Sequence, residues 1–205
     1  MRPILPAVLL PLLLAACGGD PAAPGPRAVL VTVNDPDHGD TFTYEAPAGF
    51  RPALSPQPGF PQSAAERTML EAVNAERGRG GTCPDGRSFP SRPPLTFEGH
   101  LHEAATRYAA VLAGRGTLDL PHRLGTSTPA RRMVEAGFRP APPAGAALLF
   151  GESLAAGMTD PAEVIAVWKG SAGHCAALYS PVPYGSAARA DGAGRAYWVL
   201  NTAGW

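Results

Sequence analysis

Two imidazoles and one carboxylate in the second half of the chain have the chemistry of a metal or acid–base site: His122, Glu152 and His174. Neutral imidazole nitrogens and a carboxylate form a zinc-type ligand set, which can leave a coordination position open for water or substrate. Glu152 could instead hydrogen-bond an imidazole and fix its orientation without touching a metal. The three residues are far apart in the sequence, so a shared site requires a fold that brings them together.

Other catalytic motifs are incomplete or missing. His102-Glu103 begins a near match to the zinc-protease motif H-E-x-x-H, but Thr106 stands where the second histidine is required. We therefore expect His102 to be a solvent-facing helix residue. The chain has no G-x-S-x-G elbow, phosphate-binding loop or G-x-G-x-x-G motif, which argues against serine esterases, nucleotide enzymes and dinucleotide binding.

Composition fits a single globular domain. The chain has 205 residues, enough to bury a core of its own, and its 17 basic and 17 acidic side chains cancel. No cluster of Lys and Arg marks a surface for phosphates. We expect a monomer with no nucleic-acid partner.

The first residues have the pattern of a secretory signal. Arg2 supplies a positive charge, residues 4–14 form an apolar run too short to span a bilayer, and small residues follow. Leu14-Ala15-Ala16-Cys17 resembles a bacterial lipobox, in which the thiol of Cys17 is acylated and the chain is cut just before it. Residues 1–16 are therefore a predicted lipoprotein signal peptide. The alternative is a plain signal peptide with a cysteine at the cleavage point.

A lipidated Cys17 predicts a protein anchored to the membrane on the extracytoplasmic side of a bacterial cell envelope. Gly18 stands where an Asp often signals inner-membrane retention, which favours the outer membrane in a diderm cell. Cys83 and Cys175 then remain as a pair in an oxidising compartment, where a disulfide is the usual outcome. A Cys175 nucleophile activated by His174 is the weaker alternative, because adjacent residues rarely point their side chains at one another.

Residues 17–62 are interpreted as the lipidated N-terminus and a proline-rich tether. Nine prolines after Cys17 prevent a regular helix and favour an extended spacer. Residues 28–33 and 41–44 could pair as a small hairpin. Its turn holds three Asp and His38, which suggests a cation loop, but the EF-hand spacing is missing and we expect a solvated turn.

From Ser63 onward, helix and strand signals predict an α+β domain over residues 63–205. The predicted helix starts are the capping box of Ser63 with Glu66, then Thr96, Thr128-Pro129 and Asp160-Pro161. The predicted strands cover residues 147–152, 185–190 and 196–202, with a hairpin turn at 191–194. Trp168 and Trp198 have the spacing of packing residues in such a core.

Five segments occur in the order typical of the CAP family, the cysteine-rich secretory, antigen 5 and pathogenesis-related proteins with SCP-like domains. They are His122, Gly151-Glu152-Ser153-Leu154, Trp168, Gly173-His174-Cys175 and Tyr197-Trp198-Val199. The resemblance covers roughly residues 64–205 and implies an α-β-α sandwich, a small antiparallel sheet flanked by helices. It also implies that His122, Glu152 and His174 meet in one cleft.

The chain departs from the family pattern at three positions. Ser171 stands where many members carry the second acid of a His-Glu-Glu-His tetrad, Ser153 replaces an Asn, and Cys175 replaces a common Arg. With one acid missing, we expect His122 and His174 to bind Zn²⁺ or another divalent metal with modest affinity, with Ser171 nearby. That affinity should fade as the imidazoles protonate.

The family shares a cleft but no single reaction. We expect the cleft to bind a lipid, a divalent metal or an envelope component, in a lipoprotein held at the membrane through Cys17. The alternative is a metal-assisted hydrolase that acts on peptide or envelope substrates. Metal-dependent turnover that is lost on changing His122 or His174 would discriminate between the two.

Overall fold

A computed structural model describes residues 28–118 and 122–205. The predicted signal peptide and Cys17 lie outside the described residues. The described helices are α1 (Ala64–Arg79), α2 (Gly99–Arg115), α3 (Pro129–Glu135), α4 (Pro161–Lys169) and α5 (Ala172–Leu178), with a 3-10 turn at Pro36–His38. The described strands are β1 (Val29–Asp35), β2 (Asp40–Ala46), β3 (Gly81–Thr82), β4 (Ser88–Phe89), β5 (Thr96–Phe97), β6 (Leu149–Ala156), β7 (Tyr184–Gly192) and β8 (Arg195–Gly204).

The central sheet has four strands in the order β5-β7-β8-β6, with β5 parallel to β7 and the other pairs antiparallel. Both faces are covered, as the burial of successive residues of β8 shows. Tyr197 and Val199 pack with α2, whereas Trp198 and Leu200 pack with α1, α4 and α5. This arrangement confirms the predicted α+β sandwich, and Trp168 and Trp198 are fully buried packing residues as expected.

Helix ends follow local capping rules at some positions and not at others. Ser63 and Glu66 form the predicted capping box at the start of α1. The start of α2 predicted at Thr96 is wrong. Thr96 and Phe97 pair with β7 as a short strand, and the carboxylate of Glu98 accepts from the backbone N–H of Leu101 to begin the helix.

Strands β1 and β2 form the hairpin that the sequence allowed, with Asp35 opposite Asp40. The hairpin packs on α3, where Val31, Val33, Tyr44 and Ala46 share one core cluster with Ala130 and Val134. Asp40 also receives two hydrogen bonds of 2.7 Å from the guanidinium of Arg131. The described part of residues 17–62 is therefore part of the folded unit, and its interpretation as an extended spacer is wrong for that part.

His102 is buried, not solvent-facing as the sequence predicted. Its helix face is turned toward the sheet, and its Nδ1 lies 3.0 Å from Oγ of Ser186 on β7. Its Nε2 lies 4.0 Å from a carboxylate oxygen of Glu66 at the start of α1. His102 therefore hydrogen-bonds α2 to the sheet, and its ring lies beside the start of α1.

Cys83 and Cys175 are joined by a disulfide with their Cα atoms 5.7 Å apart. Both residues are buried, and the bond fixes the loop after α1 to the middle of α5. Among the described residues, no helix is long and apolar enough to cross a membrane.

One ion pair at the start of α2 makes stability depend on pH. The Nδ1 of His100 lies 2.7 Å from a carboxylate oxygen of the buried Glu98, and this hydrogen bond, opposed by burial, raises the pKa of His100 above its usual value. Because the folded protein binds this proton more tightly than the unfolded chain, the ion pair stabilises the fold at pH values below the unfolded-state pKa of about 6.5. This stabilisation is lost as the pH rises through the higher pKa of the folded state.

We expect His100→Gln to lower the free energy of unfolding at pH 5 by roughly 1 kcal/mol. This loss is smaller than the usual contribution of a hydrogen bond to a charged group, because His100 is partly exposed. At pH 9 the variant and the parent should be equally stable, because glutamine still donates to Glu98. Urea unfolding at both pH values measures the difference. An equal loss at pH 5 and pH 9 would contradict the ionic contribution.

Candidate functional site

The three predicted site residues come together beside the edge of the sheet. Glu152 lies on β6, His174 on α5, and His122 in the loop between α2 and α3. The Nδ1 of His122 lies 2.9 Å from Oε1 of Glu152, and its Nε2 lies 3.2 Å from Nε2 of His174. His122 has a backbone φ of +66°, an uncommon conformation for a residue with a side chain.

Glu152 is neutralised by Arg132, a residue that the sequence analysis missed. The side chain of Glu152 is 1% exposed, and Nη2 of Arg132 donates to both carboxylate oxygens over 2.9 and 3.0 Å. The same nitrogen donates to the carbonyl of His122, and the guanidinium lies 3.7 Å from the ring centre of Tyr108. A buried carboxylate requires such a partner, but nothing local in the sequence marks Arg132 as the one.

These contacts favour an orienting role for Glu152. Both of its oxygens accept from Arg132, and one also faces the Nδ1 of His122. The carboxylate accepts from Nδ1 of His122, so whenever the ring is neutral its lone pair is on Nε2. That lone pair is directed toward His174.

His174 is disposed to be neutral. Burial lowers the pKa of His174 and the neighbouring His122 lowers it further, against a smaller opposing effect of Glu152. A neutral imidazole keeps a nitrogen lone pair that can bind a metal or accept a hydrogen bond. His174 therefore offers a ligand atom to the cleft.

A third imidazole reaches the cleft from the tip of the β1–β2 hairpin. The Nδ1 of His38 lies 2.8 and 3.0 Å from the two carboxylate oxygens of Asp35, and the ring centres of His38 and His122 are 6.2 Å apart. The carbonyl of His38 accepts from Arg123. The turn is exposed at Asn34, Pro36, Asp37 and Gly39, as expected of a solvated turn, but His38 also reaches the site.

The imidazoles line an open cleft of about 770 Å³. Ser171 lies in its wall at the start of α5, and its hydroxyl makes no hydrogen bond that caps the helix. The apolar part of the wall comes from Phe89, Leu149, Phe150, Ala176, Ala177, Pro181 and Val182. The cleft therefore combines a polar corner with an apolar wall.

Arg77 fixes the wall of the cleft that follows α5. Its buried guanidinium donates to the carbonyls of Leu178, Ser180 and Val182 over 2.6, 3.0 and 3.2 Å. Desolvation lowers the pKa of Arg77 to about 10, which leaves the group charged at neutral pH. One side chain of α1 thus satisfies three carbonyls of a segment that borders the site.

The imidazole pair provides part of the ligand set that a divalent metal requires. Two nitrogens that each bind one zinc ion at about 2.0–2.1 Å in a tetrahedral site lie about 3.3 Å apart, and the two Nε2 atoms are 3.2 Å apart. Over residues 28–118 and 122–205, no group of three His, Cys, Asp or Glu side chains is placed to hold a metal. The residues present therefore fit a site with two protein ligands, His122 and His174.

Comparison with known proteins supports the fold. No family model matches the chain, and no curated protein matches it. Among solved structures, an outer surface protein from Borrelia burgdorferi has a TM-score of 0.51 with 18% identity. The similarity covers 67% of this chain and 90% of that chain. At this identity the likeness is one of fold.

Proposed function

We propose that the chain is a lipid-anchored protein of the bacterial cell envelope, a member of the CAP family whose cleft binds its ligand through a divalent metal on His122 and His174. The observation that carries the proposal is the pair of Nε2 atoms 3.2 Å apart. A pair of imidazoles at this distance is suited to share one ion, and Glu152 already holds one ring in the required tautomer.

The placement of the motif residues supports the family. Glu152 lies on the edge strand β6, Trp168 near the end of α4 and His174 near the start of α5, in the order that the resemblance implies. The signal-like N-terminus and the disulfide support an extracytoplasmic location. The name of the solved neighbour, an outer surface protein, is consistent with that location.

Binding, not hydrolysis, agrees best with the charges around the imidazole pair. A bound divalent metal would supply Lewis acidity and an open position for an anionic or carbonyl oxygen. A hydrolase also needs a base, but the two oxygens of Glu152 are engaged by Arg132 and His122. Ser171 occupies the place of the second acid.

Zinc titration tests this proposal. We expect the parent protein to bind one Zn²⁺ per chain in calorimetry at pH 7.5, and His122→Ala or His174→Ala to abolish that binding, because each removes half of the ligand set. Glu152→Gln should weaken it about 10–100-fold, the usual effect of removing a carboxylate that orients a ligand.

His100→Gln is the matched control. His100 lies outside the cleft lining, so this substitution should leave zinc binding unchanged.

His38→Ala measures whether the third imidazole binds the metal. A loss of zinc affinity would add His38 to the ligand set, and no change would limit the set to two residues. Unchanged binding in both His122→Ala and His174→Ala would overturn the proposal.

A further inference from the structure

Exposed apolar side chains gather at the open end of the β1–β2 hairpin. Val29 is 52% exposed, Leu30 67% and Trp205 39%. Val29 and Trp205 line a pocket of about 300 Å³ whose other walls are Pro47, Ala48, Gly49, Phe50 and Ala141. We call Val29, Trp205 and this pocket, together with Leu30 on the other face of β1, the apolar patch. Exposed apolar side chains around a pocket of this kind mark a contact with a partner or a membrane.

Two of the other exposed apolar residues of the described chain have different surroundings. Leu54, Leu149 and Val167 are also exposed, but Leu149 belongs to the cleft and Val167 stands on α4, away from the hairpin. Trp205 is also unlike the other two tryptophans, which are fully buried. An indole that is part buried and part exposed is typical of the boundary between lipid and water.

The position of the patch along the chain indicates what covers it. Cys17, the proposed acylation site, precedes Ala28 by eleven residues, and the described structure begins beside Val29. Eleven residues span at most about 40 Å when fully extended. An acyl chain on Cys17 would therefore keep the patch close to the bilayer, where a weak apolar contact becomes effective because its local concentration is high.

We infer that the apolar patch rests on the surface of the lipid bilayer, with Trp205 at the level of the headgroups. This inference depends on the proposed acylation of Cys17. The tip of the same hairpin borders the cleft, and β1 places it about 20 Å from Val29. The contact would thus fix the orientation of the domain and hold the imidazole cleft above the membrane surface instead of letting it tumble on its anchor.

Quenching of Trp205 by brominated lipids tests the contact. Full-length acylated protein is incorporated into vesicles of phosphatidylcholine and phosphatidylglycerol, with and without bromine on the acyl chains. We expect the brominated vesicles to remove most of the emission that Trp205→Phe identifies as due to Trp205. The buried Trp168 and Trp198 should keep their emission. Val29→Glu/Leu30→Glu should abolish the quenching, whereas Val167→Glu should not.

Flotation of the same samples tests the lipid anchor separately from the apolar patch. Protein that floats with the vesicles but shows no quenching of Trp205 overturns the patch and leaves the anchor standing. Protein that does not float overturns the anchor and the patch together. Neither result affects zinc binding in the cleft. Quenching that survives Val29→Glu/Leu30→Glu would also overturn the patch, because Trp205 would then reach lipid without it.

Discussion

Breaking the bond between Cys83 and Cys175 is expected to lower the free energy of unfolding by about 4 kcal/mol. The bond closes a segment of 92 residues, for which the chain-entropy model gives about 4.6 kcal/mol, within the usual range for native disulfides. The double variant Cys83→Ala/Cys175→Ala should therefore unfold at a clearly lower urea concentration than the oxidised parent. Equilibrium unfolding at pH 7 measures the loss.

The reduced parent is the control for this variant, because it keeps both sulfur atoms in the core. If the constraint on the unfolded chain dominates, the reduced parent loses about as much stability as the double variant. A reduced parent as stable as the oxidised one would show that the loss in the variant comes from the missing sulfur atoms. The adjacent His174 gives a second readout, because a loosened α5 should weaken zinc binding.

The parts of the fold that depend on neighbouring residues could be predicted from the sequence. The capping box of Ser63 and Glu66 is local, and so is the two-residue turn of Ala193 and Gly194, both with positive φ, between β7 and β8. The start of α2 could not be predicted in this way. Thr96 is drawn into the sheet by Tyr184, a partner that only the folded chain brings near.

In the candidate site too, some residues could be predicted from the sequence and others could not. The order of the motifs indicated His122, Glu152 and His174, but not the side chains that set their charges. Arg132 reaches Glu152 because α3 lies against β6. His38 could not be predicted as part of the site, because its turn lacks the EF-hand spacing and nothing local shows that the turn will reach the cleft. The docking depends on Asp40, which bonds Arg131 across the interface with α3.

Hairpin and domain therefore build one cleft between them. Asp37 and His38 form one wall, and α5 forms the other with His174. At the hairpin tip, the carboxylate of Asp35 caps the 3-10 turn and hydrogen-bonds the ring of His38. A segment that composition alone assigns to a spacer thus contributes an oriented imidazole, since side-chain contacts outweigh the preference of its prolines for extended chain.

Arg132→Met is expected to be among the most destabilising single substitutions near the cleft, with a loss of about 3–5 kcal/mol at pH 7. The size follows from burial: Glu152 is 1% exposed and Arg132 10% exposed. Removing the guanidinium leaves a buried carboxylate with one imidazole as its partner, and breaks the bond to the carbonyl of His122 as well. Urea unfolding at pH 7 measures the loss.

Two further variants isolate the charge from the packing. Arg107→Met removes an exposed guanidinium paired with Glu103 on α2, and should lower stability by about 1 kcal/mol or less. Glu152→Gln in the Arg132→Met background removes the uncompensated charge, so it should recover part of the lost stability. An Arg132→Met variant no less stable than Arg107→Met would contradict the buried ion pair. A double variant with no recovery would assign the loss to packing on Tyr108, since the guanidinium lies 3.7 Å from that ring centre.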